Sequence, residues 1–135
     1  MKYLLDTNTC IQILRTKGNP HVKTRIGSHP LTDLALCSVV VGELYYGARR
    51  ASNPTSEIAK VDLFVARFTS FPFDDAAARV FADVRADLDA RGLGIGPLDT
   101  MIAAIASAHG LILVTHNTKD FSRIPGLALE DWEVP

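Results

Sequence analysis

Short apolar runs alternate with amphipathic stretches along this chain. Tyr3-Leu4-Leu5 stops abruptly at Asp6, the pattern of a buried strand handing over to a helix start. Thr7 to about Thr16 reads as a helix with Ile11, Ile13 and Leu14 inward, stopped by Gly18-Asn19-Pro20. A second short helix is expected from His21 to Ile26, and Leu34-Ala35-Leu36-Cys37-Ser38 is a compact buried strand. The stretch from Val39 to Ala48 opens β-branched and continues as a helix through Arg50, so helix and continued strand both stand for its first residues. Beyond Asn53-Pro54-Thr55, Ser56 to about Thr69 reads as a helix. Its apolar positions Ile58, Val61, Leu63, Val65 and Phe68 are dense enough to predict contact on more than one side.

Phe71-Pro72-Phe73 is expected as a brief strand. Asp74 and Asp75 then open the most amphipathic helix, with Ala77, Val80, Phe81, Val84 and Leu88 inward and Arg79, Asp83, Arg85, Asp87 and Asp89 outward. The loop Gly92-Leu93-Gly94-Ile95-Gly96-Pro97 follows no strand and has no Walker lysine, so it is not a phosphate cradle. Leu98-Asp99-Thr100 starts a helix of small apolar residues, Met101 to Ala108, that closes at His109-Gly110 and predicts burial between layers. Leu111-Ile112-Leu113-Val114 is the clearest parallel-type strand. It runs into Thr115-His116-Asn117 and Thr118-Lys119-Asp120-Phe121, and Leu127-Ala128-Leu129 supplies a last edge strand. This alternation predicts a three-layer α/β/α sandwich around a mostly parallel central sheet.

Composition narrows the class. At 135 residues, 47% hydrophobic and 21% charged, the chain reads as one globular domain spanning 1–135. The start Met1-Lys2-Tyr3-Leu4-Leu5-Asp6 does not read as a signal peptide, and no apolar stretch is long enough to span a bilayer, which leaves the cytoplasm as the expected compartment. Cys10 and Cys37 read as buried thiols, and His21, His29, His109 and His116 are too scattered for a zinc or Ser/His site. Residues 1–67 hold nine Lys/Arg against five Asp/Glu (+4), and residues 68–135 five against ten (−5). That asymmetry is compatible with a polyanionic ligand or a charged partner.

Four acids stand apart from the helical surfaces. Asp6 closes the first strand, Glu43 lies in an apolar helix after the second, Asp99 opens the internal helix, and Asp120 follows the strongest strand. Each alone reads as a cap or turn residue. In a parallel sheet with right-handed crossovers, however, strand ends and the helix starts after them share one edge. Carboxylates gathered there repel and raise one another's pKa, a conflict that a divalent cation removes. All-oxygen ligation without Cys or His points to Mg²⁺ or Mn²⁺. Such an ion polarises a phosphodiester and lowers the pKa of bound water. Asn8, Thr115 and Asn117 are candidates for orienting the acids or a water. Arg15, Lys17, Lys23 and Arg25 are candidate contacts to a polyanionic ligand by nearness in sequence to Asp6.

The segments Leu5-Asp6-Thr7-Asn8, Gly42-Glu43-Leu44-Tyr45-Tyr46-Gly47, Leu98-Asp99-Thr100-Met101-Ile102-Ala103-Ala104 and Val114-Thr115-His116-Asn117-Thr118-Lys119-Asp120-Phe121 together resemble the PIN-domain ribonucleases. The likeness is strongest to the VapC toxins of type II toxin–antitoxin pairs, and it covers essentially the whole chain. It implies a metal-dependent endoribonuclease that is dimeric, is silenced by a VapB-type antitoxin in a larger assembly, and uses Asp6, Glu43 and Asp99 as catalytic metal ligands. Many relatives carry Asp where this chain has Asn117, so the resemblance leaves open whether Asp120 supplies the fourth position. The subgroup with a similar carboxyl-terminal stretch includes enzymes that cut initiator tRNA at the anticodon, which implies tRNA as substrate.

Two other readings compete. Asp6-Thr7-Asn8-Thr9 echoes the Asp-x-Asp-x-Thr start of haloacid-dehalogenase-type phosphatases, where Asp6 would be a covalent nucleophile. A non-catalytic RNA- or protein-binding module would use the same acids only as caps.

Overall fold

The computed structural model describes residues 2–135; Met1, the first residue of the opening run, lies outside the described residues. Strand β1 (Tyr3–Leu5) is buried throughout and leads directly into α1 (Thr7–Leu14). Helix α2 (Pro20–Gly27) and a 3₁₀ turn at Leu31–Asp33 precede β2 (Leu34–Cys37), whose four residues are also all buried. Helix α3 (Ser38–Arg49) starts at the next residue, which resolves the β-branched stretch Val39–Val41 as helix. Helix α4 (Pro54–Val65), β3 (Thr69–Phe71), α5 (Asp75–Ala90) and α6 (Pro97–Ala108) follow, then β4 (Ile112–Val114), the single turn α7 (Thr118–Phe121) and β5 (Leu129–Glu130).

All four strand pairings are parallel, in the order β3-β2-β1-β4-β5. The central strands are apolar without alternation because both of their faces are covered. The chain lays β1, β2 and β3 outward in one direction, then returns across the sheet to place β4 on the other side of β1. Right-handed crossovers therefore put α1–α4 on one face and α5–α6 on the opposite one. Within those layers α1 packs on α2 and α3, α3 on α4, and α5 on α6. The sequence order reverses between β1 and β4, and the crevice outside the carboxyl ends of those strands is where open α/β sheets bind ligands.

Local features of α4, β3 and α5 differ from expectation. Helix α4 begins at Pro54, preorganised for a first helical turn, with the Asn53 side chain accepting from Ser56 N–H at 3.3 Å. Its buried face is Val61 and Phe64, whereas Leu63 is 75% exposed, so the helix packs along one stripe only. Strand β3 is Thr69–Phe71 rather than Phe71–Phe73, paired Ala35 to Thr69 and Cys37 to Phe71; Pro72 has no N–H to extend the ladder. On α5, Ala77 and Leu88 are buried, while Val80, Phe81 and Val84 are only half-buried.

Helix α6 fits its layer because Ala103, Ala104 and Ala106 let backbones approach closely, with Ile102 and Ile105 filling the space between them; all five are fully buried. It ends at Gly110, whose φ of +64° is open to glycine at little cost. Leu111 N–H reaches back to Ala106 O at 2.9 Å and Gly110 N–H to Ser107 O at 3.3 Å, closing the helix and aiming the chain into β4.

Candidate active site

Asp6 is the first residue after β1, and at 4% exposure it is among the few buried charged or polar residues described. Its Oδ1 accepts the Thr7 N–H at 2.8 Å, and its Oδ2 accepts the Thr115 hydroxyl at 2.8 Å from the end of β4. Asp6 also caps α1. The capping and site readings of this residue are thus both true of the same side chain. Burial and the facing Glu43 raise its carboxyl above the ordinary range, against the lowering effect of the Thr115 and Thr7 hydrogen bonds.

Glu43 reaches the same crevice from α3. Its Oε1 accepts the Thr7 hydroxyl at 2.7 Å, so one threonine serves two acids: its N–H holds Asp6 and its Oγ1 holds Glu43. Asp99 arrives from the opposite face, in the first turn of α6. A helix N-terminus favours a carboxylate, yet Asp99 is pushed up to about 6, first by burial and then by the charges of Asp6, Glu43 and Asp120. Asp120, on α7, has its Oδ2 bonded to the Asn117 amide at 3.2 Å and its Oδ1 at 3.6 Å from the Arg123 guanidinium.

Of the three candidate orienting residues, Thr115 and Asn117 take part. The Thr115 hydroxyl accepts the Asn117 N–H at 3.0 Å while donating to Asp6, and the Asn117 amide also reaches Asp99 Oδ2 at 3.5 Å. Asn8 is exposed and bonds none of the acids. Thr7, its neighbour, holds them instead, because on the first turn of α1 residue 7 faces the crevice and residue 8 faces away. Thr9 is buried and donates to Val114 O at 3.1 Å, tying α1 to the end of β4. Neither Thr7 nor Arg123 is marked out by pattern alone; adjacency to Asp6 is the one hint for Thr7.

The donor chemistry suits a hard divalent cation: carboxylate oxygens predominate, and burial followed by the charges of Asp6, Glu43 and Asp120 raises Asp99. Among the described residues no group of three or more His, Cys, Asp or Glu side chains is gathered so as to hold a metal ion by itself. An ion that keeps several waters and takes few carboxylates, as Mg²⁺ does, needs no such group.

Residues 3–127 match the family described as PIN domain. The chain belongs to the PIN-domain family. This PIN domain is 37% identical over 132 residues to the "tRNA(fMet)-specific endonuclease VapC" of Salmonella typhimurium, covering 98% of each chain. It is 39% identical over 132 residues to the protein of the same name from Shigella flexneri, again covering 98% of each. A chain in the crystal structure of DNA-bound VapBC from Salmonella typhimurium shares its fold with a TM-score of 0.91 at 37% identity over 98% of each chain. A phosphatase of the haloacid-dehalogenase type is set aside by this membership, and by an Asp6 that is buried with both oxygens already accepting hydrogen bonds.

Two of the four basic candidates also bind backbone carbonyls. Lys23 donates to Arg15 O at 2.6 Å and Thr16 O at 3.1 Å, finishing the end of α1. Arg25 donates to Asp131 O at 3.2 Å and Val134 O at 3.4 Å, fastening the carboxyl-terminal segment. Both are structural fasteners, a role that nearness in sequence to Asp6 conceals. Arg15 and Lys17 are exposed. Arg15 joins Lys60, Glu57 and Glu43 around a cavity of about 390 Å³ between α1, α3 and α4, floored by Ile11, Leu44 and Val61. Among the described residues no helix is long and apolar enough to cross a membrane.

Proposed function

We propose that this PIN domain is a divalent-metal-dependent endoribonuclease toxin of the VapC type, with tRNA, and initiator tRNA at its anticodon region in particular, as substrate. The observation that carries the reading is the linkage of three acids beyond β1 and β4: Thr7 bonds both Asp6 and Glu43, Asn117 joins Asp99 to the Thr115 that bonds Asp6, and the charges of Asp6 and Glu43 add to burial in raising Asp99. These three would hold the ion, with Mg²⁺ the expected species and Mn²⁺ the alternative. Bound there, the ion supplies Lewis acidity toward a phosphodiester and a lowered pKa for water.

The chain's own contribution is alignment. Asp6 is immobilised by two hydrogen bonds, Glu43 is aimed by Thr7, and Asp99 is raised to about 6 by burial and by the charges of its neighbours. Asp120 is the fourth acid of the site. Arg15, Lys17, Lys23 and Arg25 are the proposed RNA contacts; Arg15 and Lys17 are exposed, and Lys23 and Arg25 also donate to backbone carbonyls. Support for tRNA comes from the relatives' names, tRNA(fMet)-specific endonuclease. Support for a VapB-type antitoxin comes from the VapBC complex that shares the fold. The cavity beside Glu43, with its apolar floor, is the seat assigned to that antitoxin. The unit is a single domain, 1–135, working as a homodimer in the cytoplasm and in a larger assembly with its antitoxin.

The test is cleavage of total RNA by the purified protein with Mg²⁺, with and without EDTA, followed by mapping of the new ends. Cuts with 5′-phosphate and 3′-hydroxyl ends that vanish in EDTA are expected. Metal-independent cuts, or 2′,3′-cyclic phosphate ends, overturn the reading.

A further inference from the structure

Strand β4 runs into the turn Thr115-His116-Asn117, and the carboxyl-terminal segment 129–135 holds that turn at two successive residues. Glu130 O accepts the Thr115 N–H at 2.9 Å, and Asp131 Oδ2 lies 2.9 Å from His116 Nδ1. A carboxylate only accepts, so Nδ1 carries the proton. The segment is itself fixed elsewhere. Trp132 is buried, its ring stacked on His29 at 5.2 Å and edge-on to Tyr3 at 5.3 Å, and its indole N–H donates to Glu130 Oε1 at 3.0 Å. Arg25 donates to the carbonyls of Asp131 and Val134, and Asn19, the N-cap of α2, donates to Glu133 O at 3.1 Å. Asp131 Oδ1 accepts the Glu133 N–H at 2.9 Å, so the carboxylate that meets His116 is already aimed.

From this we infer that His116 is a positioning residue: its hydrogen bond to Asp131 locks the turn onto the carboxyl-terminal segment and so keeps the Thr115 hydroxyl on Asp6. The inference rests on the nuclease reading above and adds to it a residue that bonds none of the four site acids. Thr115 Oγ1 accepts the Asn117 N–H at 3.0 Å while donating to Asp6 at 2.8 Å, so any shift of residues 116 and 117 moves the hydroxyl that orients Asp6. Among the described residues, the Thr115 N–H is the last backbone bond between turn and segment, and the His116 side chain supplies the next link. That side chain is 59% exposed, so the link adds little to folding and acts through orientation. Asp131 at 2.9 Å and Glu133 at 3.9 Å are the charged groups facing the imidazole. The Asp131 hydrogen bond, and then the charges of Glu133 and Asp131, raise its pKa above the ordinary value. The link is therefore strongest with the ring cationic and weakens as pH rises through that titration.

The experiment measures kcat and KM of the full chain against pH, on an RNA that wild type cleaves, together with amide hydrogen exchange at Thr115, which does not depend on turnover. His116→Ala is expected to lower kcat by about threefold to tenfold with KM unchanged, and to quicken Thr115 exchange by about threefold or more. His116→Asn, whose Nδ2 falls where Nδ1 lies, is expected to restore most of kcat. The ratio of wild-type to His116→Asn kcat then falls as pH rises through the imidazole's titration, because the asparagine does not ionise. Asp131→Ala is expected to lose as much as His116→Ala, and the double variant no more than either. Wild-type kcat in His116→Ala, losses that add in the double variant, or a loss confined to KM (the mark of an imidazole that contacts RNA) overturns the inference and leaves the nuclease reading intact. Wild type that cuts no RNA in Mg²⁺ overturns the nuclease reading. The hold on the turn is then decided by exchange, where an unchanged Thr115 rate in His116→Ala overturns it as well.

Discussion

The carboxyl ends of β1 and β3 are built alike and do different things. Each strand runs into an aspartate that caps the next helix: Asp6 for α1 and Asp74 for α5. Asp74 sits beyond an edge strand, is exposed, and accepts the Ala77 N–H at 2.9 Å. Its only tasks are to cap a helix and carry charge into water. Asp6 sits beyond the central strand, with β2 on one side and β4 on the other, and at the point where the order of strands reverses. Flanking strand ends remove it from solvent, Thr115 reaches it from β4, and Glu43 and Asp99 approach from opposite layers. Position in the sheet, rather than the local motif, turns a capping acid into a site acid.

The largest expected effect breaks the pair apart on activity. Asp6→Asn or Asp99→Asn should lower RNA cleavage by roughly 10²–10³-fold, measured as kcat/KM on a defined tRNA, whereas Asp74→Ala should leave it unchanged. Equal losses at positions 6 and 74 would mean that both act only through folding. Next comes the hydroxyl that joins two acids. Thr7→Val should lower kcat by roughly 10-fold to 100-fold with KM little changed, while Thr7→Ser, which keeps the Oγ1 bonded to Glu43, should restore most of it.

Smaller effects sharpen the contrast in stability. Asp99 is protonated more readily in the folded chain than in the unfolded one, its carboxyl being raised from 3.8 to about 6. Its contribution in EDTA is therefore fully present below the unfolded value and is lost as pH rises through about 6. Thermal melts between pH 4 and 8 should show this decline in wild type and a smaller one in Asp99→Asn, which should melt higher than wild type at pH 7. Added Mg²⁺ or Mn²⁺ should reverse the decline in wild type only. A variant melting lower than wild type at pH 7 would contradict the repulsion assigned to the crevice. The smallest effect is the cost of the plain cap: Asp74→Ala should remove about 1 kcal/mol in urea unfolding, the usual worth of a capping side chain.

Much of this protein was legible as pattern. Tyr3-Leu4-Leu5 and Leu34-Ala35-Leu36-Cys37 announced central strands, because covering both faces of a parallel sheet demands unbroken apolar runs. The composition of α6 announced its burial, and the acids Asp6, Glu43, Asp99 and Asp120 were conspicuous for breaking apolar context. Other features were not legible. Thr7 and Asn8 look equally suited to orienting an acid until the rotation of α1 is known. Lys23 and Arg25 look like free cations until the carbonyls they bind, from Arg15 to Val134, are in view. Arg123 acquires meaning only through its distance to Asp120.

By itself, then, the sequence determined the kinds of element, most of their boundaries, and which carboxylates were out of place on a surface. These follow from side-chain periodicity and backbone preference, which act over a few residues. Only the tertiary structure decided that β4 lies beside β1, that α3 and α6 aim Glu43 and Asp99 into one crevice, and that Asn117 and Arg123 take hold of Asp120. Those outcomes depend on strand order and on pairings more than a hundred residues apart, such as Tyr3 with Ile112, where the free energy is that of packing whole layers rather than of any local stretch.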